Sequence, residues 1–448
     1  MNQAHDVSVV LDHEHKYSFH SGTLARSSTL FAELFTEPNA AKLSLRARQA
    51  GIKTRWLVEL KEMPSVDHPA GRLDLVKLTS TGERADGFPG RVLNENGRVP
   101  TKVFDYWERV LYAFYGTDIR VADADMGAAL SDCVELIKIA EYLGCVSLIG
   151  KPVEVALVKQ GQSLFRAIQT KPYAWADMSY RIRSELIFRE AIIHLAGHWN
   201  KWKKSREAMA ILSKTPGAKS IVDKYHHRLT DKGKKLESKL MSHYPGDMPT
   251  PKADIPIKRE EYAKDILIWI ALGWFRHWFG QRIIADKGHN AEDGGFELYK
   301  SIAAGGDAYM DKAILSQFHQ MFPMTKKALN VVENHLLEIK ECMAEWVAKS
   351  NILKSTCQLN IDQYPVRYIT STDFENSDFP WVKEELAKAN KKGKRPGGNE
   401  IAQRNLEAAK HHQVQRQMFS DDDDLEEGVV DDNADEEPVR AHKRNRFE

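Results

Sequence analysis

The sequence is poor in cysteine and has no long apolar run. None of its four cysteines belongs to a C-x-x-C pair, so neither a disulfide framework nor a cysteine zinc cage is indicated. A reducing compartment fits this usage. The most apolar stretch, Ile266 to Phe275, is followed at once by Arg276. It is shorter than the roughly 20 residues of a membrane span, so we expect a buried helix and no membrane partner.

The chain also lacks an excess of charge of either sign. Its 64 Lys and Arg residues nearly cancel its 63 Asp and Glu residues, so the net charge does not indicate a polyanionic partner. The first ten residues lack the basic and apolar regions of a secretory signal, and secretion is therefore not expected. Its paired glycines lack the spacing of nucleotide-binding loops. With no nucleophile and base arrangement recognisable either, we predict a protein that is not an enzyme and needs no cofactor or metal.

The first 35 residues have the pattern of a strand hairpin followed by a helix. Apolar residues alternate in "DVSVVL" and again in "KYSF", on either side of the polar "DHEH". Ser21 can then cap a helix over residues 21–35, in which Leu24, Phe31 and the two intervening serines share one stripe. Two further strand-like segments, "WLVEL" and "LDLVKL", precede helical patterns that end at Gly116 and Gly144. This order predicts an α+β N-terminal region.

These residues resemble the BTB/POZ domain over about the first 150 residues. The positions that carry the resemblance are Asp6, His20, Leu24, Ser27, Ser28, Phe31, Tyr115, Gly116, Ala140, Leu143 and Cys145. The resemblance implies a protein-interaction module over 5–150, with an insert at about 38–100, that often self-associates. It implies interaction roles for Asp6, His20, Leu24, Ser28, Phe31 and Tyr115. A homodimer could form through the first helix.

Family members that dock onto cullin ubiquitin ligases have an apolar-x-Glu motif shortly after the first helix. Here Asn39 and Ala41 occupy the matching positions, and the triplet Phe35-Thr36-Glu37 comes too early. A cullin substrate adaptor is thus an alternative whose motif is not matched.

Helical patterns continue over residues 151–200. They resemble the helical extension that many BTB/POZ proteins use to brace the module against the next domain. One predicted helix begins near Asp177 or Ser179 and places Glu190, His194 and His198 on one face. Such a row can bind a divalent metal, but helical amphipathicity gives the same spacing and no fourth ligand is evident. We therefore predict no metal site.

Residues 199–243 carry twelve Lys and Arg residues against four acidic residues, with aromatic residues between them. The pattern favours either a nucleic-acid or chromatin surface or a solvated helix face. We predict a basic helical segment and a proline-rich linker over 201–254, and then an all-α domain over 255–365.

The last part of the sequence, 366–448, has the composition of a disordered basic and acidic tail. Two short basic segments match nuclear import patterns, and they contain Lys391, Lys392, Lys394, Arg395, Lys443, Arg444 and Arg446. Ser420 stands before four aspartates and is a candidate phosphorylation site. Taken together, the sequence predicts an α+β module, a mostly helical region and a tail in a nuclear or nucleocytoplasmic adaptor that binds protein partners.

Overall fold

The computed structural model describes residues 5–12, 14–86, 101–122, 125–246, 248 and 266–384. The chain divides into two compact units, Met1–Lys383 and Glu384–Glu448. The first unit contains all of the strands and helices given below. The predicted import residues and Ser420 lie outside the described residues, as does the sequence from 87 to 100 within the predicted insert.

A four-stranded mixed sheet organises the N-terminal region. Its strand order is β2-β1-β3-β4, in which β1 pairs antiparallel with β2 and parallel with β3, and β3 pairs antiparallel with β4. The strands are β1 (Val7–Val10), β2 (Lys16–Phe19), β3 (Trp56–Glu62) and β4 (Arg72–Val76). The hairpin and both later strands are confirmed, and so is the α+β arrangement. β3 lies inside the sheet between β1 and β4, and its buried run from Trp56 to Leu60 is continuous because both of its faces are covered.

The first predicted helix is in fact two helices, α1 (Ser21–Ser27) and α2 (Thr29–Leu34). Ser28 separates them because its backbone is extended, with φ at −132°, and its Oγ accepts a hydrogen bond from the N–H of Phe31. Serine favours this capping position over a helix interior, and the prediction of one continuous helix was wrong for that reason. A short helix, α3 (Leu45–Gln49), follows.

Helices cover the sheet and continue to residue 242. Both helices predicted before Gly116 and Gly144 are confirmed as α4 and α5. The elements are α4 (Thr101–Ala113), α5 (Met126–Leu143), α6 (Val146–Val158), α7 (Gln162–Thr170), α8 (Pro172–Ile182), α9 (Glu185–Gly197), α10 (Trp199–Trp202), α11 (Arg206–Lys214) and α12 (Ala218–Ser242). The predicted start near Asp177 or Ser179 was wrong, because Arg183 adopts a left-handed conformation that ends α8, and Ser184 caps α9.

The remaining helices are α13 (Ile266–Ile284), α14 (Phe296–Ala304), α15 (Lys312–Met321) and α16 (Lys326–Ser350). No helix of the described residues is long and apolar enough to cross a membrane. The apolar stretch of α13 lies against α16, and its Ala271, Leu272 and Phe275 are buried. Ile266 at its start is 64% exposed, so the predicted buried helix is buried only in part.

Residues 351–384 correct the predicted start of the tail at 366. This segment has little regular structure, yet Tyr368, Ile369, Phe379 and Trp381 are all buried in it. The polar composition of this segment suggested a disordered tail because the sequence does not show the helices against which the segment packs. Gly197 of α9 lies so close to the segment that an added Cβ would be 1.9 Å from the carbonyl oxygen of Ile369.

Candidate interaction surface

Aromatic residues of α13 form the core of the C-terminal helices. Phe275 and Phe279, one turn apart, are both fully buried and their rings stack at 5.9 Å. From α16, Leu336, Ile339 and Met343 pack toward the same interior. The periodic apolar stripe of α16 is therefore a core stripe along most of its length, with Leu337 left half exposed beside it.

An open cleft of about 520 Å³ lies beside this core. Its floor contains Trp278 of α13 and Tyr309, whose rings stack with their centroids 4.8 Å apart. Six carboxylates and two cations line it, namely Asp286, Glu292, Asp293, Glu297, Asp307 and Asp311 with Arg282 and Lys287. The guanidinium of Arg282 lies 5.5 Å from the Trp278 ring centroid, so the cleft already holds one cation against its aromatic floor.

Two of the carboxylates have local structural roles, and a third cation lies close by. Asp293 accepts hydrogen bonds from the backbone N–H groups of Gly295 and Glu297, and Asp311 caps α15. Lys340 is buried and its Nζ donates to the carbonyl oxygen of Gly306 at 2.6 Å, while burial lowers its pKa. Even with Lys340 counted, carboxylates exceed cations around the cleft.

A second exposed feature is apolar and lies at the end of α15. Met321 and Phe322 are 79% and 57% exposed, although the Phe322 ring contacts Phe318. Phe318 in turn stacks on Trp274 of α13 at 4.3 Å. The helices between residues 266 and 350 thus present both an acidic cleft and an exposed apolar corner.

Residues 245–349 match the family model of the fungal FF domain. We call residues 245–349 the FF region. It includes α13, α14, α15 and nearly all of α16, and FF domains are protein-interaction modules. Searches of curated proteins and of solved structures returned no match to this chain.

This finding overturns the resemblance to the BTB/POZ domain. The family comparison finds an FF domain in the C-terminal helices and no BTB/POZ domain at the N-terminus. The spaced residues that carried the resemblance have local explanations in this fold. Asp6 accepts hydrogen bonds from the N–H and Oγ of Ser21, and Ser28 caps α2 while its hydroxyl donates to the carbonyl of Leu143. The cullin alternative depended on the same resemblance and loses its basis with it.

The N-terminal site residues lie mostly inside the fold. Leu24, Ser28 and Phe31 are buried, so their side chains hold the sheet and helices together and present no surface to a second chain. His20 and Tyr115 lie nearer the surface, where the Tyr115 hydroxyl accepts the His20 backbone N–H at 2.8 Å. Leu24 and Phe31 therefore offer no exposed apolar face through which the predicted homodimer could form.

Several cations of the 199–243 stretch have partners within the fold. Lys224 and Arg228 pair with Glu375, and Lys232 donates to the carbonyl of Asn351. The aromatic residues between them are also engaged, since Trp199 and Tyr225 are buried. The stretch thus attaches α12 to residues 351–384, which leaves fewer charges and rings for nucleic acid than the sequence alone indicates.

The suspected metal row is brought together only in part. Glu190 and His194 are buried side by side, and the third residue near them is Cys357, not His198. The candidate ligand atoms of Glu190, His194 and Cys357 all lie within 4.8 Å of one another. His198 instead stacks on Tyr368 at 4.6 Å. Glu190 accepts the backbone N–H groups of Gln358 and Leu359, at 2.8 and 3.2 Å. Hydrogen bonding to residues 357–368 therefore accounts for this cluster.

The acidic cleft is the feature that sequence reasoning missed. Its carboxylates are concentrated in the glycine-rich stretches "DKGHNAEDGGF" and "AAGGD", whose paired glycines lack the spacing of nucleotide-binding loops. The excess of acidic residues in those two loops was the available signal. The sequence does not show that these two loops line one cleft, because the cleft forms only when folding brings together Trp278 and Tyr309, which are far apart in the chain.

Proposed function

We propose that this protein is a non-enzymatic adaptor that uses its FF region to bind a protein partner. The family match to residues 245–349 is the observation that carries the proposal. The exposed surface of these helices supports it, since Phe322 and Leu337 remain 57% and 49% exposed beside a packed core. Met321, next to Phe322, is 79% exposed as well, and neighbouring exposed apolar side chains are typical of interaction sites.

Site-specific photo-crosslinking in the native cell tests the proposal without unfolding the chain. A photoreactive phenylalanine analogue is placed in the full chain at Phe322, Leu337 or Glu297, each in a separate variant. Val66, which is 96% exposed in the N-terminal region, serves as the matched control position. We expect discrete crosslinked partner proteins at one or more FF positions and none of those at Val66. Absence of partner crosslinks from all three FF positions would contradict the proposal.

We also propose a nuclear or nucleocytoplasmic location. FF domains are typical of nuclear transcription and splicing factors, and two basic segments of this sequence match import patterns. Replacing Lys391, Lys392 and Lys394 together with Lys443 and Arg444 by alanine should move a fluorescent fusion of the full chain toward the cytoplasm. An unchanged distribution would argue against import through these segments.

A further inference from the structure

One run of the N-terminal region carries positive charge only. Residues 38–58 contain Lys42, Arg46, Arg48, Lys53 and Arg55 but no Asp or Glu. The whole chain has nearly equal numbers of cationic and acidic residues, so this run is a local exception. It includes α3 and the loops on both sides of that helix.

The fold places much of this run around an open cleft of about 840 Å³, which we call the basic cleft. Glu37 supplies the one carboxylate among the described residues that line it. The cations of the lining are Lys42, Arg48, Lys53 and Arg55, and its apolar residues are Ala40, Ala41, Leu43 and Ile52. The basic cleft therefore combines positive charge with apolar surface.

The carboxylate of Glu37 is already paired with one of these cations. Arg55 donates to both of its oxygens, at 3.1 and 2.5 Å, and these hydrogen bonds lower the pKa of Glu37. Lys42, Arg48 and Lys53 are exposed and form no ion pair with any residue that the structure describes. Three positive charges around one concave surface thus have no counter-charge in the described chain, and their combined field attracts anions.

Two backbone donors accompany these charges. The N–H groups of Lys42 and Lys53 lie in loops and donate to no acceptor among the described residues. Carboxylate oxygens accept hydrogen bonds from backbone N–H groups as well as from ammonium and guanidinium groups, and such charge-assisted bonds are strong. Residues that line the basic cleft thus carry both kinds of donor.

We propose that the basic cleft binds an acidic segment of a partner protein, in which Asp or Glu side chains flank an apolar one. The carboxylates of the segment pair with Lys42, Arg48 and Lys53. Its apolar side chain packs on Leu43 and Ile52 between the charges. The basic cleft belongs to the N-terminal region, so it gives the protein a second binding surface that does not depend on the FF region.

Two other anionic ligands fit the basic cleft less well. A single phosphate group needs far less room than 840 Å³ and would leave the apolar lining uncovered. Single-stranded nucleic acid binds by stacking its bases on aromatic side chains, and the described lining contains no aromatic residue. An acidic peptide supplies both the charge and the apolar contact that the lining calls for.

Fluorescence anisotropy with the full-length protein tests the proposal. The probe is a labelled peptide in which Asp and Glu alternate with Leu and Ser, and its control has Asn and Gln at the acidic positions. The chain that ends at residue 384 is measured as well, because the sequence 421–437 of the full chain is itself an acidic peptide of this class. We expect saturable binding of the acidic peptide that weakens as salt is added, and much weaker binding of the control. Equal binding of the two peptides, or no binding of the acidic peptide to either protein, would overturn the proposal.

A triple variant locates the binding. K42Q/R48Q/K53Q should weaken binding of the acidic peptide by about tenfold, since it removes three exposed charge pairs. Its thermal stability should match the wild type, because none of the three side chains has an ion-pair partner among the described residues.

R206Q/K214Q/K219Q is the matched control. It removes one Arg and two Lys from exposed positions of α11 and α12 outside the basic cleft, and it should bind like the wild type. If the two triple variants lose affinity equally, the peptide responds only to overall charge and the basic cleft is not its site.

Glu37→Gln tests the sign of the charge effect. It removes the one described carboxylate of the lining and frees Arg55 as a fourth cation, so the acidic peptide should bind about threefold more tightly. Unchanged or weaker binding in E37Q would contradict the attraction by positive charge on which the proposal depends. Displacement of the acidic peptide by an equal concentration of a single-stranded DNA oligonucleotide would assign the basic cleft to nucleic acid instead.

These results are separable from the adaptor function proposed for the FF region. If the acidic peptide does not bind but partners still crosslink at the FF positions, the basic-cleft proposal fails and the adaptor function stands. If the peptide binds but those crosslinks are absent, the reverse holds.

Discussion

Asp378 shows how a single residue attaches the C-terminal segment to the helices. Its buried carboxylate accepts hydrogen bonds from Lys224, Tyr225 and Lys383. Burial on its own would raise the pKa of Asp378, but these three donors outweigh burial and hold the pKa below its ordinary value of 3.8. Two of the donors belong to α12, so this carboxylate links residues 351–384 to that helix.

Replacing Asp378 by Asn should therefore destabilise the fold in a pH-dependent way. Because the folded-state pKa is depressed, the carboxylate stabilises the protein fully above about pH 4, and this contribution is lost as the pH falls further. We expect D378N to lower the free energy of unfolding by about 2 kcal/mol at neutral pH, and the difference from wild type to shrink in acid. Thermal denaturation across a pH series measures it.

Asp373→Asn is the control for this prediction. Asp373 lies in the same segment but is exposed, so the same chemical change should have little effect on stability. A loss in D378N that matched the loss in D373N, or one that did not vary with pH, would show that the carboxylate does not link the segment to α12.

At the scale of elements, α9 serves as the support for residues 355–372. The Glu190 carboxylate accepts hydrogen bonds from two backbone N–H groups of the segment, and Nδ1 of His194 is hydrogen-bonded with the Tyr368 hydroxyl at 2.8 Å. The close approach of Gly197 to Ile369 extends the contact along the helix. A helix face that the sequence presents as a row of metal ligands is in this fold a support for a long irregular segment.

Glu190→Gln should loosen that segment. A Gln side chain has one acceptor oxygen where Glu has two, so one buried N–H of Gln358 or Leu359 loses its partner at a cost of about 1–3 kcal/mol. Hydrogen exchange of the amides near residues 357–359 should accelerate, while exchange in β1 to β4 should not.

Glu185→Gln, on an exposed position of the same helix, is the matched control and should leave exchange in the segment unchanged. Wild-type exchange rates at residues 357–359 in E190Q would show that Glu190 does not support the segment.

At the scale of the whole molecule, the FF region and the N-terminal sheet belong to the same compact unit, Met1–Lys383. Helix α12 packs against α9, and it contacts the FF region because Glu237 accepts hydrogen bonds from the Tyr299 hydroxyl and the His289 backbone N–H, at 2.6 and 2.7 Å. Tyr299 belongs to α14 of the FF region. The same helix pairs with Glu375 through Lys224 and Arg228, so α9, the FF region and residues 351–384 all contact α12.

A pair of truncations tests this arrangement. A chain that ends at residue 365 loses the buried side chains of Tyr368, Ile369, Phe379 and Trp381, each of which contributes roughly 1.5–3 kcal/mol by burial. We expect its melting temperature to fall by roughly 10 °C or more relative to a chain that ends at residue 384. Equal melting temperatures would mean that residues 366–384 do not belong to the folded core. Circular dichroism during heating is sufficient for the comparison.

Local patterns of the sequence predicted much of the secondary structure. The β1 and β2 hairpin, the two later strands, α13 and α16 were all foreseen, because each depends on an apolar pattern within the element itself. The pattern is periodic in the hairpin and in α16, and it is a continuous run in β3 and at the start of α13. Boundaries set by single residues were harder, as Ser28 and Arg183 show. The family of the N-terminal region was misjudged, because capping and turn residues such as Asp6 and Ser28 serve the geometry of this fold.

The sequence alone determined where most of the strands and helices form and that α13 is an apolar helix. Only the tertiary structure decided what the polar residues do. Glu190 meets Gln358, Lys224 meets Asp378, and Trp278 meets Tyr309 through contacts between residues distant in the chain. Apolar periodicity acts within one element, but the role of a buried or cleft-lining polar group is set by the partner that folding brings to it, and that partner leaves no mark at a fixed spacing in the sequence.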